Sequence, residues 1–192
     1  MEKAIYHATQ MLRELGFDLS DPNYKETPSR MVEVFLQFTK GIRDDNKKEI
    51  DENFNKVFPN HNGMKHYKGM IVQSPLKVYS LCSHHLLPII YKVYFAYIPQ
   101  DQRQIGFSKV LKILRLVATQ PMNQENFTQK VIDIFEEKLH PKGLAIVVKG
   151  IHFCMKIRGV MSEAVNITST VRGDFKNFRS TREEFFTLTN LK

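Results

Sequence analysis

The sequence predicts an α+β fold in which a small antiparallel sheet packs with helices. Apolar residues recur at helical spacing over the first 41 residues, and runs rich in β-branched and aromatic residues begin at Met70. Helical spacing returns between Ser108 and Leu139, and a second β-rich region and a last helical segment follow. This order, in which pairs of strands alternate with helices, is typical of an α+β protein built on hairpins.

The amino-terminal segment is predicted to form a pair of helices. Residues 3–15 carry apolar positions at helical spacing and predict the first helix. Thr27 and Pro28 mark the start of the second, because threonine caps helices and proline is tolerated in the first turn. This helix is expected to end near Gly41. The polar stretch 43–63 is interpreted as a mostly exposed connection in which residues 53–58 could pack locally.

The remaining elements are predicted from helical spacing of apolar residues and from runs of β-branched and aromatic residues. Proline breaks the central helical region after Gln120, because it lacks an N–H and clashes with the preceding turn. The predicted strands are 70–83, 89–100, 143–157 and 166–173, and the predicted helices are 109–119, 126–139 and 180–188. Two hairpins leave open sheet edges, which proteins usually pair or cover, so we expect a homo-oligomer that continues the sheet between subunits.

Length and composition limit the class of protein. A chain of 192 residues with 42% hydrophobic residues is long enough for one domain with a sizeable core. It has no apolar stretch approaching the roughly 20 residues that span a bilayer and no recognisable signal peptide, so we expect a cytoplasmic protein. Its formal charge of +8 would attract nucleic acid, an acidic surface or a phosphorylated small molecule. The lack of a nucleic-acid-binding motif disfavours the first of these.

Two clusters of soft metal ligands stand out. Cys82, His84 and His85 fall within four residues, and Cys154, the only other cysteine, follows His152 by two. In a strand, residues 152 and 154 point to the same face, so this pair is predicted to address one site. Both cysteines with one histidine and an open fourth position form the ligand set of a catalytic zinc, and the other histidines would transfer protons. The spacing does not decide which of His84 and His85 is the ligand, and a lone cysteine is more often a small buried apolar residue.

Candidate substrate contacts lie near these clusters. Ser108 and Lys109 begin a helix, whose free N–H groups and dipole favour an anion, and Arg158 could bind phosphate bidentately. Glu125, which follows Gln124 at another helix start, could accept hydrogen bonds from the N1–H and exocyclic amine of guanine. Each residue also has an ordinary interpretation as a helix cap or a surface charge, so taken singly these segments are ambiguous.

Taken together, the motifs resemble GTP cyclohydrolase I across nearly the whole chain. The matching stretches are Thr27-Pro-Ser-Arg30, Cys82-Ser-His-His-Leu-Leu-Pro88, Ala96-Tyr-Ile-Pro99, Gly106-Phe-Ser-Lys109, Gln124-Glu125, His152-Phe-Cys-Met155, Arg158-Gly-Val160, Thr168-Ser-Thr170 and Thr181-Arg-Glu-Glu-Phe185. Their order and spacing make the resemblance specific.

The resemblance implies a fold, an assembly and a reaction. The fold is the tunnelling fold, an antiparallel sheet with helices packed on one face, whose sheet continues between subunits into a pentameric barrel. Two such rings stack as a homodecamer. A single domain would span residues 1–192, with a helical pair in 1–45 and the tunnelling-fold core in 70–192. The reaction converts GTP and water to 7,8-dihydroneopterin triphosphate and formate with Zn²⁺ as cofactor.

The resemblance also implies roles for individual residues. Zn²⁺ would be bound by Cys82, His85 and Cys154. Proton transfer would be assisted by His84 and His152. Guanine would be recognised by Glu125 with Gln124 beside it. The triphosphate would be contacted by Arg30, Ser108, Lys109 and Arg158.

Several positions depart from the family pattern. Ser83 stands where glutamate is usual, Lys112 where arginine is frequent, and Tyr91 where glycine is frequent. Ser83 removes a carboxylate from beside the expected metal site, and Lys112 keeps a charge but loses the planar fork of arginine. These departures concern rate and substrate more than the class of reaction. They leave open two alternatives: a diverged tunnelling-fold protein that acts on another purine or pterin, and a basic nucleic-acid-binding protein with a structural zinc.

Overall fold

The computed structural model describes residues 1–44, 46–55, 57–58, 67–100 and 103–191. The helices are α1 (Glu2–Glu14), α2 (Thr27–Phe38), α3 (Lys40–Asp44), α4 (Lys47–Phe54), α5 (Phe107–Ala118), α6 (Gln124–Leu139), α7 (Phe153–Lys156), α8 (Asp174–Asn177) and α9 (Arg179–Thr189). The strands are β1 (Val57–Phe58), β2 (Ile71–Leu81), β3 (Pro88–Ile98), β4 (Gln104–Ile105), β5 (Gly143–His152) and β6 (Asn166–Gly173). The predicted α+β class is confirmed.

Four strands form an antiparallel sheet in the order β2-β3-β5-β6. The two predicted hairpins are present, and pairing of β3 with β5 joins them. Ile89 of β3 lies opposite both Ser80 of β2 and His152 of β5. The carboxyl ends of β2 and β5, where the two ligand clusters lie, therefore meet at one end of the sheet.

The main core lies between one face of this sheet and the helices α5 and α6. Alternate residues of β3, namely Val93, Phe95 and Tyr97, point to this face because side chains in a strand alternate with a period of two. The Phe95 ring meets Phe135 of α6 with 4.6 Å between ring centroids. This packing fixes α6 across the sheet, so the amino-terminal end of α6 is held in a defined position.

Helices also cover part of the opposite face. Phe175 of α8 and Phe185 of α9 are buried against Ala96 and Val147, which alternate with the core-facing residues of their strands. The expectation that helices pack on one face only is therefore wrong where α8 and α9 cover Ala96 and Val147. A small side chain such as Ala96 leaves the space that the two phenylalanine rings fill.

The polar stretch 43–63 contains a packed helix, which sequence reasoning did not predict. Within α4, Ile50 and Phe54 are buried, and the Phe54 ring meets Phe135 with 5.2 Å between centroids. Residues four apart share one helix face, so two apolar side chains anchor an otherwise polar helix. The expectation of an exposed connection is wrong for residues 47–52, whereas the expected local packing within 53–58 is confirmed at Phe54. Residues 45, 56 and 59–63 of the stretch lie outside the described ranges.

The predicted amino-terminal helices are confirmed as α1 and α2, which pack against each other. Their contact buries Ala8 and Leu12 on α1 and Val32 on α2. Pro28 occupies the first turn of α2, as its missing N–H allows. No helix within the described ranges is both long and apolar enough to span a bilayer.

Candidate metal centre and substrate pocket

The turn between β2 and β3 holds the first ligand cluster. Cys82 follows β2 and is buried; its N–H donates to the Leu87 carbonyl, and its own carbonyl accepts from the Leu86 N–H, both at 2.9 Å. Leu86 has φ of +52°, in the left-handed region that such a tight turn requires. The turn presents His84 and His85 close to Cys82.

The second cluster lies where β5 ends. The strand stops at His152, and Phe153 begins the short helix α7, so the prediction that residues 152 and 154 share a strand face is wrong. The register explains why β5 ends there. His152 pairs with Ile89, so the next residue of β5 would have to pair with Pro88. Proline has no N–H to donate to a neighbouring strand, and the pairing stops. The helical turn that follows nevertheless brings Cys154 to the same site.

The three predicted metal ligands converge. One ligand atom each from Cys82, His85 and Cys154 lies within 4.8 Å of the other two, and no other such group of His, Cys, Asp and Glu occurs in the described ranges. Cys82 Sγ is 3.8 Å from His85 Nδ1. Zinc bonds of about 2.0–2.3 Å in a tetrahedron separate the ligand atoms by roughly 3.5–3.8 Å, so the donors and their spacing fit this ion. His84 Nδ1 is 3.9 Å from Cys82 Sγ but does not belong to the group, which favours His85 as the ligand.

A cavity of about 500 Å³ opens beside these ligands. It lies between the turn after β2, the start of α6, the end of β5 and the start of β6. The predicted site residues that line it are Cys82, His84, His85, Gln124, Glu125, His152 and Cys154. The structure therefore gathers the predicted metal, proton-transfer and guanine-binding residues around one space.

Gln124 is buried at the wall of this cavity, and both ends of its amide are hydrogen-bonded. Nε2 lies 3.0 Å and 3.1 Å from the carbonyl oxygens of Val148 and Asn166, and Oε1 lies 2.8 Å from His152 Nε2. Because carbonyl oxygens only accept, the amide NH₂ faces them, and Oε1 must accept a hydrogen from His152. The neutral imidazole is thereby held as the Nε2–H tautomer, which leaves Nδ1 as its acceptor atom.

Comparison with known proteins assigns the chain to a family. The family model for GTP cyclohydrolase I matches residues 4–190. The chain belongs to the GTP cyclohydrolase I family. GTP cyclohydrolase 1 of Aquifex aeolicus (strain VF5) is 38% identical over 92% of this chain and 90% of its own length. GTP cyclohydrolase 1 of Hydrogenobaculum sp. (strain Y04AAS1) is 35% identical over 97% of this chain and 96% of its own length.

A relative from a third genus agrees with these two. GTP cyclohydrolase 1 of Streptococcus agalactiae serotype V (strain ATCC BAA-611 / 2603 V/R) is 32% identical over 98% of this chain and 95% of its own length. The predicted resemblance to the GTP cyclohydrolase I family is confirmed, and it extends over almost all of the sequence.

Burial and neighbouring charge set the protonation of the site in this GTP cyclohydrolase I family member. Burial lowers the pKa of His152, and the Glu125 carboxylate opposes that effect. Burial also raises the pKa of the Cys154 thiol, the neighbouring Cys82 adds to the rise, and the Arg158 guanidinium opposes it. A divalent cation between the two cysteines would reverse this effect, because it stabilises the thiolates.

The predicted phosphate-binding lysine lies in a different cleft. Lys109, Lys112 and Arg115 follow one face of α5 and line a space of about 700 Å³. Glu49 and Glu52 of α4 form the other wall of this cleft. The positive face of α5 is therefore partly balanced by carboxylates within the same chain.

The other predicted triphosphate contacts also lie outside the metal cavity. Ser108 is exposed in the first turn of α5, and Arg30 on α2 forms an exposed ion pair with Glu26, which precedes that helix. Arg158 follows α7 and lies close enough to Cys154 to affect its pKa. Within one chain, the geometry brings together the metal and guanine residues but not the four phosphate candidates.

Two residues of the site were missed by sequence reasoning. Thr168 of β6 lines the cavity, with its Oγ1 3.2 Å from Gln124 Nε2 and 2.6 Å from Thr128 Oγ1. The stretch Thr168-Ser-Thr170 carried a signal, since it was among the motifs of the family. Gly150 of β5 carried none, because its importance lies in the space that a missing side chain leaves beside Gln124.

Ser83, which replaces the usual glutamate of the family, links the metal-ligand turn to α6. Its Oγ lies 2.8 Å from Oδ1 of Asn123, the residue that precedes Gln124. Both side chains are exposed, so water competes for this hydrogen bond. Where the family usually has a charged glutamate, this chain therefore has a neutral hydroxyl that joins the turn after β2 to the start of α6.

Ser83→Ala is expected to have a small effect. A solvent-exposed hydrogen bond contributes about 0.5–1 kcal/mol, so we expect turnover to fall less than about fivefold and metal content to stay unchanged. Steady-state kinetics and metal analysis of the purified variant check this. Loss of the metal, or a fall in turnover beyond about fiftyfold, would show that the hydrogen bond between Ser83 and Asn123 contributes more to metal binding or catalysis than its exposure indicates.

Proposed function

We propose that this chain is a zinc-dependent GTP cyclohydrolase that converts GTP and water to 7,8-dihydroneopterin triphosphate and formate. The proposal rests on the convergence of Cys82, His85 and Cys154 with Glu125 and His152 around one cavity. Metal ligands, a guanine acceptor and a proton carrier are thereby within reach of a single purine ring. Membership of the GTP cyclohydrolase I family supports the same reaction.

The zinc would be held by Cys82, His85 and Cys154. Three protein ligands are the set of a catalytic zinc site, whereas a structural zinc takes four. When bound, the ion supplies Lewis-acid activation of water at neutral pH. The remaining chemistry is assigned to side chains of this chain.

Glu125 selects and orients the base. Its side chain lies in the first turn of α6 at the cavity. The two carboxylate oxygens match the N1–H and the exocyclic amine of guanine as a bidentate pair, whereas the corresponding edge of adenine does not offer this pair of donors. This contact would hold the imidazole half of the purine in place for attack at C8.

His152 and His84 carry protons during opening of the imidazole ring and release of formate. Gln124 holds His152 as the Nε2–H tautomer, so Nδ1 is the atom that accepts a proton from the attacking water. The lowered pKa of His152 keeps it neutral and ready for this step near pH 7. His84 lines the same cavity and is the second proton carrier of the proposal.

The triphosphate would be bound by Arg30, Ser108, Lys109 and Arg158, brought together by assembly. Strands β2 and β6 end the sheet of the single chain and offer edges for continuation into neighbouring subunits. Ile167, which lines the cavity, and Val160 and Met161, which follow α7, are more than 60% exposed and would be covered by such neighbours. We propose a cytoplasmic homodecamer of two pentameric rings, with residues 1–192 as one domain made of the helical pair 1–45 and the core 70–192.

Incubation of the zinc-loaded protein with GTP tests the function. Stoichiometric formate, with a fluorescent pterin after oxidation and the mass of 7,8-dihydroneopterin triphosphate before it, is the expected result. A zinc-loaded oligomer that releases no formate would refute the proposal. If that protein instead bound nucleic acid tightly and in a salt-sensitive manner, its zinc would be structural and its charge of +8 would serve nucleic-acid binding.

Glu125→Gln is expected to lower GTP turnover by about 10³-fold or more, because an amide presents only one acceptor and leaves a guanine donor unpaired. Kinetics with GTP and metal analysis check this, and zinc content should stay unchanged. Glu137→Gln, an exposed carboxylate on the same helix, is the matched control and should retain full turnover. Unchanged turnover of the Glu125 variant would refute the assignment of guanine recognition.

A further inference from the structure

Tyr91 is a buried residue beside the metal centre for which the proposed reaction has no role. It lies on β3, opposite Val78 of β2 and Gly150 of β5, and it is 0% exposed. Its ring stacks on Phe127 of α6 with 4.8 Å between centroids and planes 15° apart. Tyr91 is therefore held between the two flanking strands, β2 and β5, and its ring is stacked on Phe127 of α6.

The Tyr91 hydroxyl is buried and has no hydrogen-bond partner. Buried polar groups are nearly always paired, so an unpaired phenol needs an explanation. Tyr97, on the same face of the same strand, shows the usual arrangement: its hydroxyl accepts the N–H of Ile105 at 3.2 Å. The difference is specific to Tyr91 and does not reflect the strand or the core around it.

The Tyr91 side chain extends toward the end of the sheet that carries the metal ligands. Its ring meets the His152 ring edge-on with 6.2 Å between centroids, and His152 pairs with Ile89, two residues closer to that end. Burial raises the pKa of Tyr91, and negative charge on Cys82, on Glu125 and on Cys154 raises it further. The phenol thus stays protonated as a donor, and the two cysteines, which pack in or against the same core cluster as Tyr91, become anionic when they bind a metal.

We infer that Tyr91 is a positioning residue of the metal centre, whose hydroxyl donates a hydrogen bond to the thiolate pair of Cys82 and Cys154 when the metal is bound. The inference rests on the metal site of the proposed function. Neither sulfur is in hydrogen-bonding geometry with the hydroxyl in the metal-free chain, where the ligand atoms spread over as much as 4.8 Å, so the contact forms when the ion draws the two sulfurs together and makes them the stronger, thiolate acceptors. Partners of this kind around metal ligands typically contribute about 10- to 100-fold to metal affinity.

Tyr91→Phe tests the inference because it removes the hydroxyl and keeps the stacked ring. The metal-depleted full-length variant should bind Zn²⁺ about tenfold more weakly than the unaltered protein in competition with a chromophoric chelator. The metal-free variant should melt no lower than the metal-free parent, since it loses an unpaired buried polar group. These two effects have opposite signs, which a role in packing alone would not produce.

Cobalt substitution provides a second measurement that does not depend on activity. A hydrogen bond to a thiolate lowers the energy of its lone pairs, so removing it should shift the thiolate-to-Co²⁺ charge-transfer band to longer wavelength. Tyr97→Phe is the matched control, with a lower melting temperature but unchanged zinc affinity and an unmoved band. Zinc affinity of Tyr91→Phe within twofold of the parent, or an unmoved band, would overturn the inference.

The parent protein separates this inference from the proposed metal site. If the unaltered chain binds neither Zn²⁺ nor Co²⁺, the proposed site itself is wrong. If it binds both and Tyr91→Phe behaves identically, the metal site stands and only the role of Tyr91 is refuted.

Discussion

Cys154→Ser is expected to abolish zinc binding and to lower GTP turnover by at least about a thousandfold. Serine keeps the size of the side chain but does not supply a thiolate, and two remaining ligands do not hold zinc in a catalytic site. Cys154 lies on the short helix α7 at the edge of the core and is only partly buried, so the fold should survive the change. Metal content of the purified protein and release of formate measure the two effects.

The chelator-treated parent is the control for Cys154→Ser. A ligand that binds only the folded state stabilises it by about 2.7 kcal/mol at a hundredfold excess over its Kd, so zinc should raise the melting temperature of the parent. The variant should melt like the metal-free parent at every zinc concentration. Full zinc content together with ordinary formate release would show that Cys154 is not a ligand.

Much of the fold could be predicted because local patterns agreed with tertiary structure. Runs of β-branched and aromatic residues predicted strands over 89–100 and 143–157, where the structure has β3 and β5. Helix α4 was missed because its polar composition hid two apolar residues, Ile50 and Phe54, whose burial depends on a distant partner. Pairing of β3 with β5 was also outside the reach of local patterns, because residues 45 to 63 positions apart meet only in the folded chain.

The candidate site was predicted by residue type more accurately than by geometry. The metal ligands were found because two rare cysteines each lie within two residues of a histidine. The prediction that His152 and Cys154 share a strand face was wrong because β5 loses its ladder partner at Pro88. The hydrogen bonds of Gln124 could not be predicted either, since they depend on carbonyl groups of two strands that the sequence does not place beside it.

The contact of Gly150 with Gln124 leaves no room for a side chain at position 150. A Cβ atom at position 150 would lie 2.1 Å from Gln124 Oε1 and 3.1 Å from His152 Nε2. Gln124 has little freedom to move away, because its amide nitrogen is tied to the Val148 and Asn166 carbonyls. Any side chain at this position therefore separates Oε1 from His152 and removes the contact that sets the tautomer of the imidazole.

Gly150→Ala is expected to lower the free energy of unfolding by about 1–3 kcal/mol through overpacking. Turnover should fall by about 10²- to 10³-fold through loss of an oriented proton carrier.

Calorimetry and formate release measure the two effects, and adding Gln124→Ala to the Gly150→Ala variant separates their causes. Shortening Gln124 removes the clash but leaves the Val148 and Asn166 carbonyls without their donor, so the double variant should lose less stability than the sum of the two single variants. His152 still lacks its acceptor, so turnover should stay low. The destabilising effects should therefore be strongly non-additive, as expected for two residues in contact. Recovery of turnover along with stability would mean that Gln124 only fills space, and that the orientation of His152 is set by other contacts.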